Sequence, residues 1–131
     1  MAFRITLTRV RQQPVQNINQ ELQWLGSALG LFNQRDRDSS CFRVFITLVK
    51  HSPKEQPLSS DEIAERLKLS RGTVVHHLHR MMDSGIVVHE REGYLLRENE
   101  LPQLIDRMQK DVEAMFAELR KVAQEIDEKL G

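Results

Sequence analysis

A short stretch of the chain concentrates side chains that could bind a polyanion. Between positions 70 and 80, hydroxyl, imidazole and guanidinium groups recur on what their spacing predicts to be one face of a helix. These side chains are Ser70, Arg71, Thr73, His76, His77 and Arg80. Such groups bond to phosphate oxygens and to the edges of bases. The pattern favours nucleic-acid binding over catalysis.

The order of these residues suggests a role for each. A helix about 10 to 12 Å wide fits the major groove of B-DNA, and its N-terminal residues reach the base edges. Arg71 could bind O6 and N7 of guanine with two N–H groups, and Thr73 could contact a thymine methyl group or a phosphate. His76 and His77 could donate to base or phosphate acceptors. Arg80 lies further along the helix, where we expect a phosphate contact.

The histidines also suggest two further hypotheses, a metal site and a dependence of DNA binding on pH. His76 and His79, at i and i+3, could share one ion, whereas the adjacent His76 and His77 point about 100° apart. Further ligands would be needed, and Cys41 is the only cysteine. We therefore predict no metal and no cofactor, and keep a metal-responsive regulator as an alternative. Protonation of histidines near a pKa of about 6.5 would strengthen binding to DNA, as a further hypothesis.

Two predicted helices and a tight turn position this polar face. Ser59 precedes Glu62 by three residues, the capping-box spacing, so a helix should begin near Ser59. Its apolar positions are Ile63, Ala64 and Leu67. Residues 68–70 break the helical period, and Ser70 is placed to cap a second helix. The inner stripe of that second helix is predicted to be Val74, Leu78 and Met81.

A β-hairpin is predicted to follow the second helix. Residues 86–88 and 94–96 are rich in β-branched and other apolar side chains, which is typical of short strands. The tip at 91–93 presents Arg91 between two glutamates. Leu58 could add a short third strand. A helix, a turn, a second helix and a hairpin together describe a helix-turn-helix with a wing.

Two segments carry a resemblance to a known family. SRGTVVHHLHRMMDSGIV, with the preceding LSSDEIAERLKL, resembles the motif helices of winged helix-turn-helix transcription regulators of the ArsR and MarR type. The resemblance implies that the second helix enters the major groove and that the wing reaches toward the backbone or the minor groove. It implies DNA contacts for the polar face of that helix and for Arg91.

The charge of the 131-residue chain is balanced overall but unevenly distributed. Nineteen basic and nineteen acidic residues give a formal net charge of zero, which argues against non-specific coating of nucleic acid. Residues 1–57 carry eight basic and four acidic residues, residues 58–97 six of each, and residues 98–131 five and nine. A basic beginning and an acidic end fit a molecule whose N-terminal and motif surfaces meet phosphate.

Several classes of protein are disfavoured by what the sequence lacks. A lone cysteine excludes an intrachain disulfide, and no apolar run reaches the length of a membrane span or a signal peptide. We expect a cytoplasmic protein with no membrane partner. The sequence shows no Gly-rich phosphate loop and no nucleophile with a placed base, so we expect no enzyme.

The N-terminal part is predicted to contain a strand and a helix. Residues 2–10 alternate apolar and polar side chains, as in an edge strand, and their arginines could alternatively touch phosphate. Asn17 can cap a helix whose apolar face is Ile18, Leu22, Leu25, Leu29 and Phe32. Gly26 and Gly30 within this helix mark either the close approach of another backbone or the tolerance of glycine in a marginal helix. Residues 41–50 have so narrow a polar stripe that we expect a central core helix.

A long amphipathic helix is predicted at the C-terminal end. Its apolar residues alternate at spacings of four and three for nearly four heptads. They are Leu101, Ile105, Met108, Val112, Met115, Leu119, Val122 and Ile126. Because such a helix would run about 45 Å, we expect a second chain to cover its seam. The alternative is a monomer in which the N-terminal helix alone covers it.

These expectations combine into one hypothesis. The fold should be mainly α with a small β-wing: an N-terminal arm and helix that support a dimer (1–34), a winged helix-turn-helix domain (39–98) and a C-terminal dimerisation helix (99–131). The predicted dimer interface combines the apolar faces of the first and last helices. The expected function is a dimeric, sequence-specific transcription repressor on a pseudo-palindromic double-stranded DNA operator. The alternative is a winged-helix module that binds proteins of the transcription machinery. The sequence does not identify an effector.

Overall fold

A computed structural model describes residues 3–11, 17–32 and 39–131. These residues form mainly helices, with one antiparallel pair of strands. In chain order the elements are α1 (Ile18–Ala28), α2 (Ser40–His51), a 3-10 turn (Ser52–Lys54), α3 (Ser60–Leu67), α4 (Arg71–Asp83), β1 (Val87–Glu90), β2 (Gly93–Leu96) and α5 (Leu101–Leu130). The expected class, mainly α with a β-wing and a long last helix, is confirmed.

Helix α2 lies at the centre of the core. Its apolar side chains Cys41, Val44, Phe45 and Leu48 are buried, together with the inner residues of α3 and α4. The inner stripe of α4, predicted from helical spacing, is also buried: Val74, Leu78 and Met81. Burying a side chain of this kind stabilises the fold by roughly 1.5 to 3 kcal/mol. The central position expected for residues 41–50 is therefore confirmed.

The two motif helices begin at the caps that their sequences predict. The Ser59 hydroxyl accepts a hydrogen bond from the Glu62 N–H at 3.0 Å, and the Glu62 carboxylate accepts one from the Ser59 N–H at 3.3 Å. Helix α4 begins in the same way, since the Ser70 hydroxyl accepts from the Thr73 N–H at 3.1 Å. Between the helices, Lys68 adopts a left-handed conformation that turns the chain.

The wing is a tight hairpin with a third partner. Glu90 pairs with Gly93, so the tip is only Arg91 and Glu92, one residue shorter than predicted. Leu58 exchanges two backbone hydrogen bonds with Tyr94, at 2.9 and 2.8 Å, and forms a single β-bridge where a short third strand was expected. A Cβ atom on Gly93 would lie 2.4 Å from the Leu58 carbonyl oxygen. Only glycine fits where these two backbones meet.

The N-terminal arm differs from the prediction. The structure assigns no strand to residues 3–10, and residue 2 lies outside the described residues. Instead, the Arg4 N–H donates to the Asp83 carbonyl and the Thr8 N–H to the Ala28 carbonyl, both at 2.8 Å. These carbonyls lie at the ends of α4 and α1, where a helix leaves its last acceptors without internal partners. The arm therefore caps two helices rather than joining a sheet.

Helix α1 begins at Asn17 as predicted but ends earlier than expected. The Asn17 side chain accepts from the Gln20 N–H at 3.0 Å, whereas Gly30 has a φ of +72° and ends the helical run before Phe32. A Cβ atom on Gly26 would lie 2.6 Å from the Phe42 ring. The close approach anticipated at Gly26 is thus real, but it involves a side chain and not a backbone.

Helix α5 packs on the core through its first turns only. Leu104 and Met108 are buried, whereas the second half of the helix is exposed. Leu104 was absent from the predicted seam, although it lies beside it on the helix. Two residues predicted for the dimer interface, Met108 and Leu29, are buried in the core of their own chain and so leave little surface for a second copy. The alternative, in which the N-terminal helix alone covers the whole apolar seam of α5, is not seen either, because the second half of α5 is exposed.

An ion pair connects the base of the wing to α5. The Arg97 guanidinium donates to both carboxylate oxygens of Asp111, at 2.5 and 3.2 Å, and to the Gly85 carbonyl at 3.4 Å. The Phe3 ring lies 5.8 Å from the same guanidinium. The bonds to Asp111 raise the pKa of Arg97 above its ordinary value. One side chain therefore ties together the wing, the end of α4, α5 and the arm.

Candidate nucleic-acid interface

The start of α4 is an open, polar surface. Ser70, Arg71 and Gly72 are exposed, and Thr73 is half-buried. The Ser70 hydroxyl donates to the Thr73 hydroxyl at 2.8 Å while it caps the helix. The N-terminus of a helix carries a partial positive charge, so an anion is favoured there. A Cβ atom on Gly72 would meet nothing within 4 Å, so another molecule has room to approach the backbone of α4 closely at this position.

Arg71 is held loosely by a neighbour on α3. Its guanidinium lies 3.5 Å from the Asp61 carboxylate, and both side chains are largely exposed. An exposed pair of this kind contributes about 0 to 1 kcal/mol. Arg71 can therefore leave Asp61 for a stronger acceptor at little cost. Until then, the pair orients the guanidinium near the first turn of α4.

The outer face of α4 continues the polar surface. Thr73, His76 and Arg80 follow one another at intervals of three and four residues, and His76 is exposed while Arg80 is half-buried. His79 is also exposed, at i+3 from His76. His79 was predicted only as a possible metal ligand. Its spacing of three residues from His76 was the signal that could have placed it beside His76 on the exposed surface of the helix.

His77 does not belong to this face. Its side chain is only 6% exposed, and its Nε2 atom lies 2.6 Å from the Ser40 hydroxyl at the start of α2. The expected contact of His77 with DNA is therefore wrong. The reason is angular: His77 follows Val74 by three residues and precedes Met81 by four, so it lies on the inner stripe. Side-chain polarity was a poorer guide than helical position.

The wing presents its charges at a separate place. Arg91 is exposed at the hairpin tip, with Glu90 and Glu92 exposed on either side. Behind the tip, the His89 ring stacks on Tyr94 with centroids 4.3 Å apart. Five of the predicted DNA-contacting residues therefore lie on α4 or at its cap, and Arg91 lies separately on the wing. The five are Ser70, Arg71, Thr73, His76 and Arg80.

The described part of the chain offers neither a metal-binding cluster nor a membrane-spanning helix. Within residues 3–11, 17–32 and 39–131, no group of three or more His, Cys, Asp or Glu side chains could hold a metal ion. Cys41 is buried in the core. The same ranges contain no helix that is long and apolar enough to cross a membrane.

A comparison with known families agrees with this geometry. Residues 54–88 match the family described as bacterial regulatory protein, arsR family. The matched segment contains α3, the turn and α4, and it ends within β1. No curated protein and no solved structure matched the chain. The matched segment, the two capped helices and the hairpin behind them form a winged helix-turn-helix that is similar to the ArsR type of DNA-binding transcription regulator.

Proposed function

We propose that this protein is a dimeric, sequence-specific regulator that inserts α4 into the major groove of double-stranded DNA and represses transcription by occluding a promoter. The observation that carries the proposal is the capped start of α4, where Ser70 and Arg71 are exposed and Thr73 is half-buried beside them. This end of the helix combines hydrogen-bond donors with a positive partial charge.

The proposed contacts follow the positions of the side chains. Arg71, at the first turn, would bind guanine through two N–H groups after leaving Asp61. Thr73 and His76 lie further along the same face and would meet base or phosphate acceptors. Arg80 would contact phosphate. Arg91 would approach the backbone from the wing, while the exposed glutamates beside it keep that contact weak.

The proposed dimer follows from the uncovered part of α5. A second copy would bury its apolar stripe and would set two α4 helices on a pseudo-palindromic operator, with half-sites about one helical turn apart. The predicted interface residues that remain available for this role are Ile18, Leu22, Leu25, Leu101, Ile105, Val112, Met115, Leu119, Val122 and Ile126.

The proposal is tested by comparing two arginines in similar settings. Arg107 on α5 lies 3.3 Å from Glu98, much as Arg71 lies 3.5 Å from Asp61. Arg71→Ala should weaken binding to the operator by about 1 to 3 kcal/mol, whereas Arg107→Ala should not. The measurement is a gel shift with the DNA upstream of the protein's own gene and with random duplex. Equal affinity of the unaltered protein for both duplexes would contradict sequence-specific binding.

A second candidate function has one observation in its favour. The zero net charge and the acidic wing tip fit a winged-helix module that binds a protein of the transcription machinery. The same variants separate the two functions. Undiminished DNA affinity in Arg71→Ala would favour the protein-binding module, because that function does not need Arg71 to meet a base.

A further inference from the structure

The turn between α3 and α4 is held by few backbone hydrogen bonds. Helix α3 ends at Leu67, and the Leu69 N–H closes the turn on the Ala64 carbonyl at 3.0 Å. The Lys68 N–H reaches the Glu65 carbonyl only at 3.4 Å, which is longer than an ordinary hydrogen bond. Helix α4 begins at the fourth residue after Leu67. The direction of α4 therefore depends on a short turn that has one of these backbone bonds at normal length.

A guanidinium group from the central helix adds a shorter bond to this turn. Arg43 is half-buried near the start of α2, and its Nη2 atom donates to the Leu67 carbonyl at 2.7 Å. This carbonyl is the last in α3, at the end of a helix that lacks internal donors and carries a partial negative charge. A hydrogen bond from a charged donor is about twice as strong as a neutral one. Arg43 therefore fixes the end of α3 and the start of the turn.

The same end of α2 also holds α4. Ser40 lies three residues before Arg43, on the same side of α2, and its hydroxyl is 2.6 Å from the Nε2 atom of His77 on α4. One turn of α2 thus meets both motif helices through polar groups, α3 at its last carbonyl and α4 near its middle. Apolar packing is non-directional, whereas hydrogen bonds require particular distances and angles. These two bonds therefore set the orientation of α4 relative to α3.

An ion pair between α3 and α4 does not replace the bond from Arg43. Arg71 on α4 lies 3.5 Å from Asp61 on α3, and both side chains are largely exposed. Exposed pairs of this kind contribute little, because water screens them. In the proposed complex with DNA, Arg71 leaves Asp61 for a guanine, so this pair is broken. The bond from Arg43 to the Leu67 carbonyl does not face the groove and stays in place.

We propose that Arg43 is a positioning residue for the recognition of bases by α4, acting through the Leu67 carbonyl and not through a contact with DNA. The inference rests on the proposed function and adds to it a residue from outside the motif helices. A two-pronged contact of Arg71 with guanine requires side chains held within about 0.5 Å of the productive geometry. Contacts with phosphate depend more on charge than on exact placement. Loss of the Arg43 bond therefore weakens specific binding more than non-specific binding.

Two variants that lose the same charge test this role. Arg43→Met keeps the apolar stem of the side chain and removes its donors. Lys50→Met, the control, removes a cation from an exposed position two turns further along α2. Gel shifts at several salt concentrations compare the DNA upstream of the protein's own gene with random duplex. We expect the ratio of the two affinities to fall about tenfold or more in Arg43→Met and to stay unchanged in Lys50→Met.

The salt dependence and a conservative variant separate positioning from other roles. Binding to random duplex should depend on salt equally in the unaltered protein and in Arg43→Met, because Arg43 meets no phosphate. Arg43→Lys keeps a charged donor for the Leu67 carbonyl and should restore most of the ratio. Helical circular dichroism checks that each variant is folded at the temperature of the assay. An unchanged ratio in Arg43→Met, or a weaker salt dependence, would overturn the inference.

Amide hydrogen exchange without DNA separates failure of the inference from failure of the proposed function. The Leu69 amide should exchange about tenfold faster in Arg43→Met than in Lys50→Met, because its bond to the Ala64 carbonyl opens with the turn. Equal exchange in the two variants would overturn the inference. If the unaltered protein bound both duplexes equally, the proposed function would fail, and faster exchange at Leu69 would still show that Arg43 holds the turn.

Discussion

A buried hydrogen bond between His77 and Ser40 joins α4 to the central helix α2. The Nε2 atom of His77 and the hydroxyl of Ser40 are 2.6 Å apart, and both side chains are buried. Buried polar groups contribute most when they are paired, since losing one partner exposes the full cost of burying the other. At this scale, His77 orients α4 from inside and does not contact DNA.

Ser40→Ala should therefore destabilise the fold. Removing the hydroxyl leaves the His77 ring without this bond, and we expect the free energy of unfolding to fall by about 1 to 3 kcal/mol. Urea denaturation followed by circular dichroism measures it. Ser27→Ala, a change of the same size in α1, serves as the control. Equal stabilities of the two variants would show that the bond contributes nothing.

The capping box makes a prediction about pH. The Ser59 N–H and hydroxyl bond to Glu62 and hold the pKa of that carboxyl below its ordinary value of 4.5. A lowered acid pKa stabilises the fold above the ordinary value, and this contribution is lost as the pH falls through the lowered one. NMR titration should find Glu62 below 4.5, and Ser59→Ala should raise it. A Glu62 pKa at or above 4.5 in the unaltered protein would refute the capping role.

The residue scale shows what local sequence can and cannot predict. The caps at Ser59 and Ser70 were predictable because each partner lies three residues away. The role of His77 depends on Ser40, which is 37 residues distant, and no local pattern encodes that pairing. Helical angle alone would still have placed His77 on the inner stripe with Val74 and Leu78.

At the scale of elements, the wing and α4 use glycine for opposite reasons. Gly93 lies where the wing crosses the Leu58 backbone, with no room for a Cβ atom. Gly72 lies in the first turn of α4, where a Cβ atom would meet only solvent. One glycine is required by packing, and the other is a cost to the helix.

Alanine at the two glycines should therefore act in opposite directions. Gly93→Ala should lower the free energy of unfolding by about 2 kcal/mol or more, because the Leu58 strand must move away. Gly72→Ala should raise it by about 0.5 to 1 kcal/mol through helix propensity. Thermal unfolding of both variants measures the signs. A stabilised Gly93→Ala protein would contradict the close contact with Leu58.

The element scale also shows where periodicity stops being informative. The heptad pattern predicted the full length of α5, because apolar spacing follows helical geometry. It did not predict that Leu104 belongs to the core, or that Met108 is buried in the same core. The arm was likewise predicted as a strand from its alternation, yet it meets helix ends. Which partner an apolar or extended segment meets is decided by tertiary packing.

At the scale of the whole molecule, assembly should control DNA affinity. If α5 joins two copies, binding of the second half-site becomes intramolecular and gains about 10² to 10⁴ in affinity. Leu119→Glu places a charge in the exposed stripe, so we expect a monomer with a correspondingly weaker gel shift. Gln124→Glu adds the same side chain on the opposite side of the helix and is the control.

Both assembly variants should keep the fold of the monomer, since Leu119 and Gln124 are both exposed. Sedimentation velocity and helical circular dichroism are the measurements. A dimer that persists in Leu119→Glu would place the interface elsewhere.

The bidentate ion pair between Arg97 and Asp111 has a mechanical consequence. It helps to fix the angle at which the 30-residue helix α5 leaves the wing. Over a lever of about 45 Å, a tilt of about 5° at the joint displaces the far end by about 4 Å, roughly the step of one base pair along B-DNA. In the proposed dimer, the stiffness of this planar contact between Arg97 and Asp111 would set how much variation in operator spacing the two α4 helices tolerate.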